Sequence, residues 1–233
     1  MSPDLASNVQ QISILALPAI FAITFHEAAH GFVAYRLGDD TAWRAGRVTF
    51  NPLRHIDPVG TILIPLVLFL TTGFLFGYAK PVPVNFGRLR HPRIDMVWVA
   101  LAGPGTNIIL AVVSALLFYV LPFVPALGYE WARDSLITSI QFNVLLAVFN
   151  MIPLPPLDGG RVAVGLLPDV LAFPLVRLER YGLFIVVGLL FVLPIVGQHL
   201  NVNLDLLRYV IFYPAEYVMR GIAWMVGMPA GLI

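Results

Sequence analysis

The chain contains no cysteine. Disulfides are therefore excluded, and any metal ion must be held by histidine, aspartate or glutamate rather than by thiolate. Charge is scarce as well: 12% of the 233 residues are Asp, Glu, Lys or Arg, against about 25% in an ordinary soluble domain. The net charge is +1 and the basic residues form no dense run, which argues against a nucleic-acid partner. No internal repeat, low-complexity tract or interdomain linker interrupts the chain, so residues 1–233 are read as one membrane domain. The N-terminus lacks a basic n-region and apolar character runs past residue 30, so the first hydrophobic segment is expected to belong to the mature protein.

What the chain has instead is apolar sequence. Residues 58–79, 96–129, 135–157 and 181–204 carry no charged side chain, and the mean hydropathy is +0.85. An apolar helix needs about 20 residues to cross a hydrocarbon core of about 30 Å. The expected fold is therefore an all-α, multi-pass integral membrane protein with about four transmembrane helices, near 9–36, 95–121, 134–152 and 180–197. Pro18 is expected to kink the first, and Gly38 lies just past its end. Residues 58–79, interrupted by Pro65 and Gly73, are read as a re-entrant segment. The C-terminal part (204–227) carries Asp205, Arg208, Glu216 and Arg220, so it is read as a helix lying at the interface or crossing only with partners. Between the first two hydrophobic stretches, Arg47 to Phe50 alternate in a way that allows a short strand. In the run from Lys80 to Asn85, Pro81 and Pro83 force an extended backbone.

Chemistry is concentrated in His26-Glu27-Ala28-Ala29-His30, an H-E-x-x-H pattern on the first helix. At 3.6 residues per turn His26 and His30 share a face and can reach one metal ion, with Glu27 about 100° round, placed as a general base. The bland reading is a set of polar side chains satisfied by neighbouring helices. Against it, an ionisable group in an apolar helix costs about 2.5–3.5 kcal/mol on insertion scales, and metal binding explains its presence better. A catalytic zinc usually takes three protein ligands. The strongest candidate for the third is Asp158, which follows an uncharged helix and the prolines at 153, 155 and 156. Alone it would be read equally well as a solvated turn residue; beside an H-E-x-x-H the ligand reading is preferred.

The sequence resembles the site-2 proteases, a family of intramembrane zinc metalloproteases. The resemblance rests on His26-Glu27-x-x-His30, on Ala102-Gly103-Pro104-x-x-Asn107 and on the run from Asn150 to Arg161. Asn51-Pro52, His55-Ile56-Asp57-Pro58 and Lys80 to Asn85 add lesser matches, so residues 26 to 161 are covered in order. It implies one Zn²⁺ bound by His26, His30 and Asp158, Glu27 as catalytic base, and a transmembrane protein as substrate within the bilayer. In 233 residues a compact form is expected, without the PDZ or CBS domains of larger members.

The ligands must meet at similar depth, and this constrains topology. If residues 58–79 dip in and return, Asp158 and the histidines lie on one side, with eleven of the fourteen Lys and Arg residues on that same face. Cytoplasmic loops are enriched in Lys and Arg, so that face is expected to be cytoplasmic, in a prokaryotic inner membrane. His30 lies six residues before Arg36, hence roughly 9 Å from the helix end.

Lesser candidates follow. Asn107, Asn143 and Asn150 are amides in or beside apolar helices, suited to substrate backbone or an oxyanion, or equally to interhelical hydrogen bonds; the resemblance tips Asn107 toward the site. Val82 to Asn85 suits strand addition of an unwound substrate, or is a plain loop. His55 reads as a turn residue, His91 and His199 as loop residues, and Gly103 and Gly105 as sites of close helix packing. Two other functions compete: a metal-ion transporter using the same ionisable groups, and a catalytically silent membrane scaffold. A transit site does not require a glutamate directly after the first histidine, and a silent relative would be free to lose one of the four residues.

Overall fold

The computed structural model describes residues 3–63, 80–200, 202 and 204–228, and these are helical with no strand among them. In chain order the α-helices are α1 (Pro3–Arg36), α2 (Thr41–Arg44), α3 (Pro92–Leu117), α4 (Ala126–Asn150), α5 (Asp158–Leu166), α6 (Asp169–Val187), α7 (Leu193–His199) and α8 (Tyr213–Val226). A π-helical turn, Gly188–Val192, joins α6 to α7, and another, Arg208–Phe212, leads into α8.

The bundle is organised around α3, which packs against α1, α4, α5 and α8. Beyond Asp95, Val97, Val99 and Pro104, its buried positions are small or amide: Ala100, Gly103, Asn107, Ala111, Ser114 and Ala115. The facing side of α1 buries the small Ala22 and Ala34 on either side of His26 and His30. Small side chains let helix backbones approach closely, which is how helices associate where lipid removes the usual hydrophobic drive. Toward α8 the core becomes conventionally apolar, with Ala111, Ala115, Ile140, Val144, Ala215, Ile222 and Ala223 in one cluster. A hydrogen bond between Ser114 Oγ and Ser139 Oγ (2.8 Å) ties α3 to α4 within it.

Helix ends follow local chemistry. Pro92 opens α3 at a position where its missing N–H costs nothing, and Asp95 Oδ2 reaches back to accept the His91 N–H at 2.8 Å. At the other end of the chain α8 stops at Gly227, whose φ of 72° lets the Met228 N–H reach the Ala223 carbonyl.

Two helical stretches are long and apolar enough to cross a membrane, Val9–Arg36 and Pro92–Phe123; the expected count of four is not reached among the described residues. The difference has a physical source. Helix α4 begins eight residues before residue 134 and carries Glu130, Arg133 and Asp134, with Arg133 paired to Glu130 at 2.8 Å and to Asp134 at 2.9 Å. Helix α6 likewise starts at Asp169, well before residue 180, and includes Arg177, Glu179 and Arg180. Both helices are thus polar at one end. Pro18 lies inside α1.

One further expectation is settled differently. No strand forms at Arg47 to Phe50: the Thr49 carbonyl is taken by His55 Nε2 (2.9 Å), and the Arg47 guanidinium is buried against the Lys80 carbonyl (2.6 Å). The backbone there is spent on side-chain and loop contacts, with no ladder to join. The C-terminal part forms α8, and its buried face is part of the core shared with α3 and α4. Of the expected re-entrant segment, residues 64–79 lie outside the described residues.

Candidate metal centre

Two histidines one turn apart on α1 and a carboxylate distant in sequence converge against α3. His26 Nε2 and His30 Nε2 are 3.0 Å apart, and Asp158 Oδ2 stands 3.2 Å from the first and 3.3 Å from the second. All three side chains are buried. The two histidines come from successive turns of α1, and Asp158 is the first residue of α5. The sequence places Asp158 in a broken, non-helical stretch; the structure instead makes the prolines the loop and Asp158 the start of a new helix.

Packing without side chains puts α5 there. A β-carbon on Gly159 would collide with the Met151 and Ile152 carbonyls, and one on Gly160 with Pro155. The first turn of α5 therefore lies directly on the 151–155 backbone. At the far end Arg93 donates to the carbonyls of Gly165 (3.0 Å) and Leu167 and pairs with Asp169 (2.9 Å), holding the C-terminus of α5 against α3.

The orientation of the imidazoles decides what the triangle can do. His30 Nδ1 lies 2.7 Å from the Val99 carbonyl, which can only accept, so Nδ1 carries the proton and Nε2 presents a lone pair. His26 Nδ1 lies 2.6 Å from Asn107 Oδ1 and is likewise the donor, leaving Nε2 as a lone pair. Asp158 Oδ2 is buried without a hydrogen-bond partner. With both Nε2 atoms unprotonated, three acceptor atoms face one another at 3.0–3.3 Å in a buried space, an arrangement that repels unless a metal ion or a proton lies between them. A tetrahedral zinc with bonds of about 2.0–2.1 Å sets its ligand atoms about 3.3 Å apart. The donor set and its spacing fit such an ion.

Gly103 makes the triangle possible. A β-carbon there would overlap His30 Nε2 and lie 2.5 Å from His26 Cε1 and 2.7 Å from His26 Nε2. Val99, Gly103 and Asn107 recur every four residues, so one face of α3 supplies the His30 acceptor, the clearance and the His26 acceptor. Read alone, the sequence treats Gly103 as a helix-packing residue. The available signal is a glycine four residues before a buried amide. By contrast, Gly105 faces open space.

Glu27, between the two histidines, is half-buried, and its Oε2 accepts the backbone N–H of Val82 at 2.7 Å. The strip Val82 to Asn85 is thereby laid along α1. Its far end is fastened by Asp39 Oδ2, which accepts the Asn85 N–H at 2.6 Å, and Val82 packs over Gly31. Asp39 is fully buried. Burial alone would raise its pKa, but the Thr41 hydroxyl, the N–H groups of Asn85 and Thr41 and the charge of Arg88 together hold it below the ordinary carboxylate value.

Of the other sequence candidates, Asn107 reaches the triangle through His26, and the rest lie further out. Asn107 and Asn143 bond each other (2.8 Å), and each also bonds a backbone carbonyl, Ala22 (3.2 Å) and Ser139 (2.9 Å). Asn150 turns back on its own helix, donating to the Leu146 carbonyl at 3.0 Å. His55 is a buried turn residue whose carbonyl accepts the Lys80 N–H, His91 precedes α3, and His199 ends α7.

Two histidines and a carboxylate around a cation-sized space, with a glutamate on the same helix, define a metalloprotease-type centre. Known proteins agree. The chain is 43% identical over 188 residues to YwhC of Bacillus subtilis (strain 168), an alignment spanning 78% of this chain and 81% of that one. It is 31% identical over 164 residues to MJ0611 of Methanocaldococcus jannaschii, spanning 69% and 73%. It is also 32% identical over 173 residues to Rip2 of Mycolicibacterium smegmatis, spanning 73% of this chain and 64% of that relative. Each of the three bears the name "putative zinc metalloprotease". No protein-family model and no solved structure matches the chain. The chain belongs to the site-2 protease family, and it is a metalloprotease.

Proposed function

We propose that this protein is a zinc-dependent endopeptidase embedded in a bilayer, hydrolysing peptide bonds within or near transmembrane segments of other membrane proteins. One observation carries the reading: the buried acceptor triangle lies inside a bundle whose outer faces are apolar. Ile12, Leu15 and Phe21 on α1, Trp98 and Ile109 on α3, and Phe184 on α6 all point outward. Exposed apolar surface on this scale is what a helix presents to lipid.

Zinc bound by His26, His30 and Asp158 supplies Lewis-acid polarisation of a peptide carbonyl and a water of lowered pKa. The remaining chemistry belongs to the chain. Val82 fixes Glu27 through Oε2, whereas Oε1 has no hydrogen-bond partner among the described residues. Glu27 Oε1 is the atom that takes the proton and returns it to the departing amine. An intact substrate helix hides its carbonyls in internal hydrogen bonds, so the target must unwind locally. The strip supports the next step, because the Val84 N–H and the Val82 carbonyl have no partner among the described residues. An unwound segment can pair with that edge as an added strand. Arg36, Arg44, Arg47, Arg54, Arg88 and Arg90 cluster in the segments around this end of α1, favouring a cytoplasmic placement in a prokaryotic inner membrane.

The test is cleavage of a model transmembrane substrate in liposomes, paired with metal analysis. Wild type should cleave and hold one zinc per chain, and Glu27→Gln should hold the zinc and lose cleavage. Cleavage by Glu27→Gln at the wild-type rate would overturn the assignment of the base.

A further inference from the structure

We propose that Asn107, itself oriented by Asn143, is the positioning residue that fixes His26 as an Nε2 ligand. The inference rests on the reading of His26 as a metal ligand and goes beyond it to what selects the ligating nitrogen.

The argument follows donors and acceptors through a buried chain across three helices. It starts at the Ser139 carbonyl on α4, which can only accept. Asn143 approaches it at 2.9 Å, so the group presented there is the amide NH₂. Asn143 therefore turns Oδ1 toward Asn107, 2.8 Å away, and Asn107 must donate to it through Nδ2. The Ala22 carbonyl on α1, 3.2 Å from the same Nδ2, demands that orientation independently. With its NH₂ committed twice, Asn107 has only Oδ1 to offer His26, and Nδ1 at 2.6 Å must carry the proton. Nε2 is left as the lone pair that faces His30 and Asp158.

Each amide has one orientation because its NH₂ is committed to a backbone carbonyl, Ser139 for Asn143 and Ala22 for Asn107. Asn107 and Asn143 are both buried, so water cannot substitute for a lost partner at small cost. An apolar residue at 107 would leave the His26 ring free to rotate or to protonate Nε2 instead. His30 uses a simpler device, the Val99 carbonyl, which no side-chain substitution removes. Partners of ligating imidazoles typically change metal affinity about 10–100-fold when removed.

A packing role and a positioning role predict opposite orders for two substitutions. Asn107→Leu keeps an apolar volume and loses the acceptor; Asn107→Asp keeps the acceptor and buries a charge, the costlier change for folding. The experiment uses the full chain in detergent, with zinc affinity from competition against a chromogenic chelator, the visible spectrum of the Co²⁺-loaded form, and the melting temperature of the metal-free form. Positioning predicts that Asn107→Leu binds zinc about 10–100-fold more weakly with altered Co²⁺ bands, although its metal-free form melts no lower than that of Asn107→Asp. It predicts that Asn107→Asp binds more tightly than Asn107→Leu. Asn143→Leu, one bond further out, should fall between wild type and Asn107→Leu, and it decides the matter if either residue-107 variant does not fold. Equal zinc affinity in Asn107→Leu and wild type, or tighter binding by Asn107→Leu than by Asn107→Asp, would overturn the proposal and leave the metal centre standing. Failure of wild type to bind zinc, or binding undiminished by His30→Ala, would instead remove the metal reading itself.

Discussion

The backbone N–H of Val82 donates to Glu27 Oε2 across 2.7 Å, joining the glutamate of the H-E-x-x-H pattern to an extended strip 55 residues further along the chain. The same strip offers an edge unpaired among the described residues, so the group that holds the general base also belongs to the surface proposed to hold the substrate. If a substrate segment pairs there, its binding and the placement of the carboxylate are mechanically linked.

That link is testable by removing one hydrogen. Val82→Pro deletes the donor in a strip already extended by Pro81 and Pro83, whereas Val82→Ala retains it. A hydrogen bond to a charged group contributes about 1.5–3 kcal/mol, so kcat for a model transmembrane substrate should fall about 10- to 150-fold in Val82→Pro. Zinc content should not change, because Val82 touches no ligand atom of the triangle. Equal kcat in the proline and alanine variants would mean that this contact does not position the base.

Gly103 and Gly105 provide a matched pair on one helix. A methyl group at 103 would occupy space held by both imidazoles, and a methyl group at 105 would meet nothing within 4 Å. Gly103→Ala should therefore lose most of its zinc and all measurable cleavage. Gly105→Ala should keep both and gain slightly in stability, since alanine is the better helix former by about 1 kcal/mol. Zinc bound stoichiometrically by Gly103→Ala would show that the helices can separate without dismantling the site.

How much of this could be read beforehand depends on where each interaction lies in the chain. The H-E-x-x-H pattern is legible because helix geometry alone puts His26 and His30 on one face. Asp158 is legible by another route, as the carboxylate that follows an uncharged helix and Pro153, Pro155 and Pro156 in a chain that also carries the H-E-x-x-H pattern. The helical start at Asp158 is obscured by Pro153, Pro155 and Pro156; what defines it is the contact of Gly159 and Gly160 with the preceding loop. Gly103 and Asn107 acquire their roles only where α3 crosses α1, and a crossing leaves no local pattern in either helix. The early starts of α4 and α6 were hidden because both helices carry charged residues ahead of their apolar stretch, and hydropathy discounts ion pairs such as Arg133 with Glu130 and Asp134.

The absence of cysteine makes topology directly measurable. Single cysteines at Arg54 and Arg88 should react with a membrane-impermeant maleimide from the same side of sealed vesicles if residues 58–79 dip in and return. A cysteine at Arg133 should react from the opposite side. Labelling of positions 54 and 88 from opposite sides would establish a full crossing between them and would require a different account of how Asp158 reaches the histidines.

The final prediction concerns acid. Asp39 is fully buried, accepts two hydrogen bonds from Thr41 and one from Asn85, and has its pKa held below the ordinary value. A carboxyl whose folded pKa is depressed contributes stability that is complete above its unfolded value, about 3.9, and is lost as pH falls through the folded one. Wild-type protein in detergent should therefore lose melting temperature progressively below about pH 4. Asp39→Asn keeps the shape but loses the charge, and hydrogen bonds to a charged group contribute about 1.5–3 kcal/mol. This variant should melt lower than wild type at pH 7 and show a shallower decline below about pH 4, so that the two curves converge in acid. Because Asp39 fastens the Asn85 end of the strip while Glu27 fastens the Val82 end, Asp39→Asn should also raise KM for a transmembrane substrate more than it lowers kcat. Parallel melting curves across the acid range would show that the Asp39 charge contributes nothing to the fold, and an unchanged KM would separate this clamp from substrate binding.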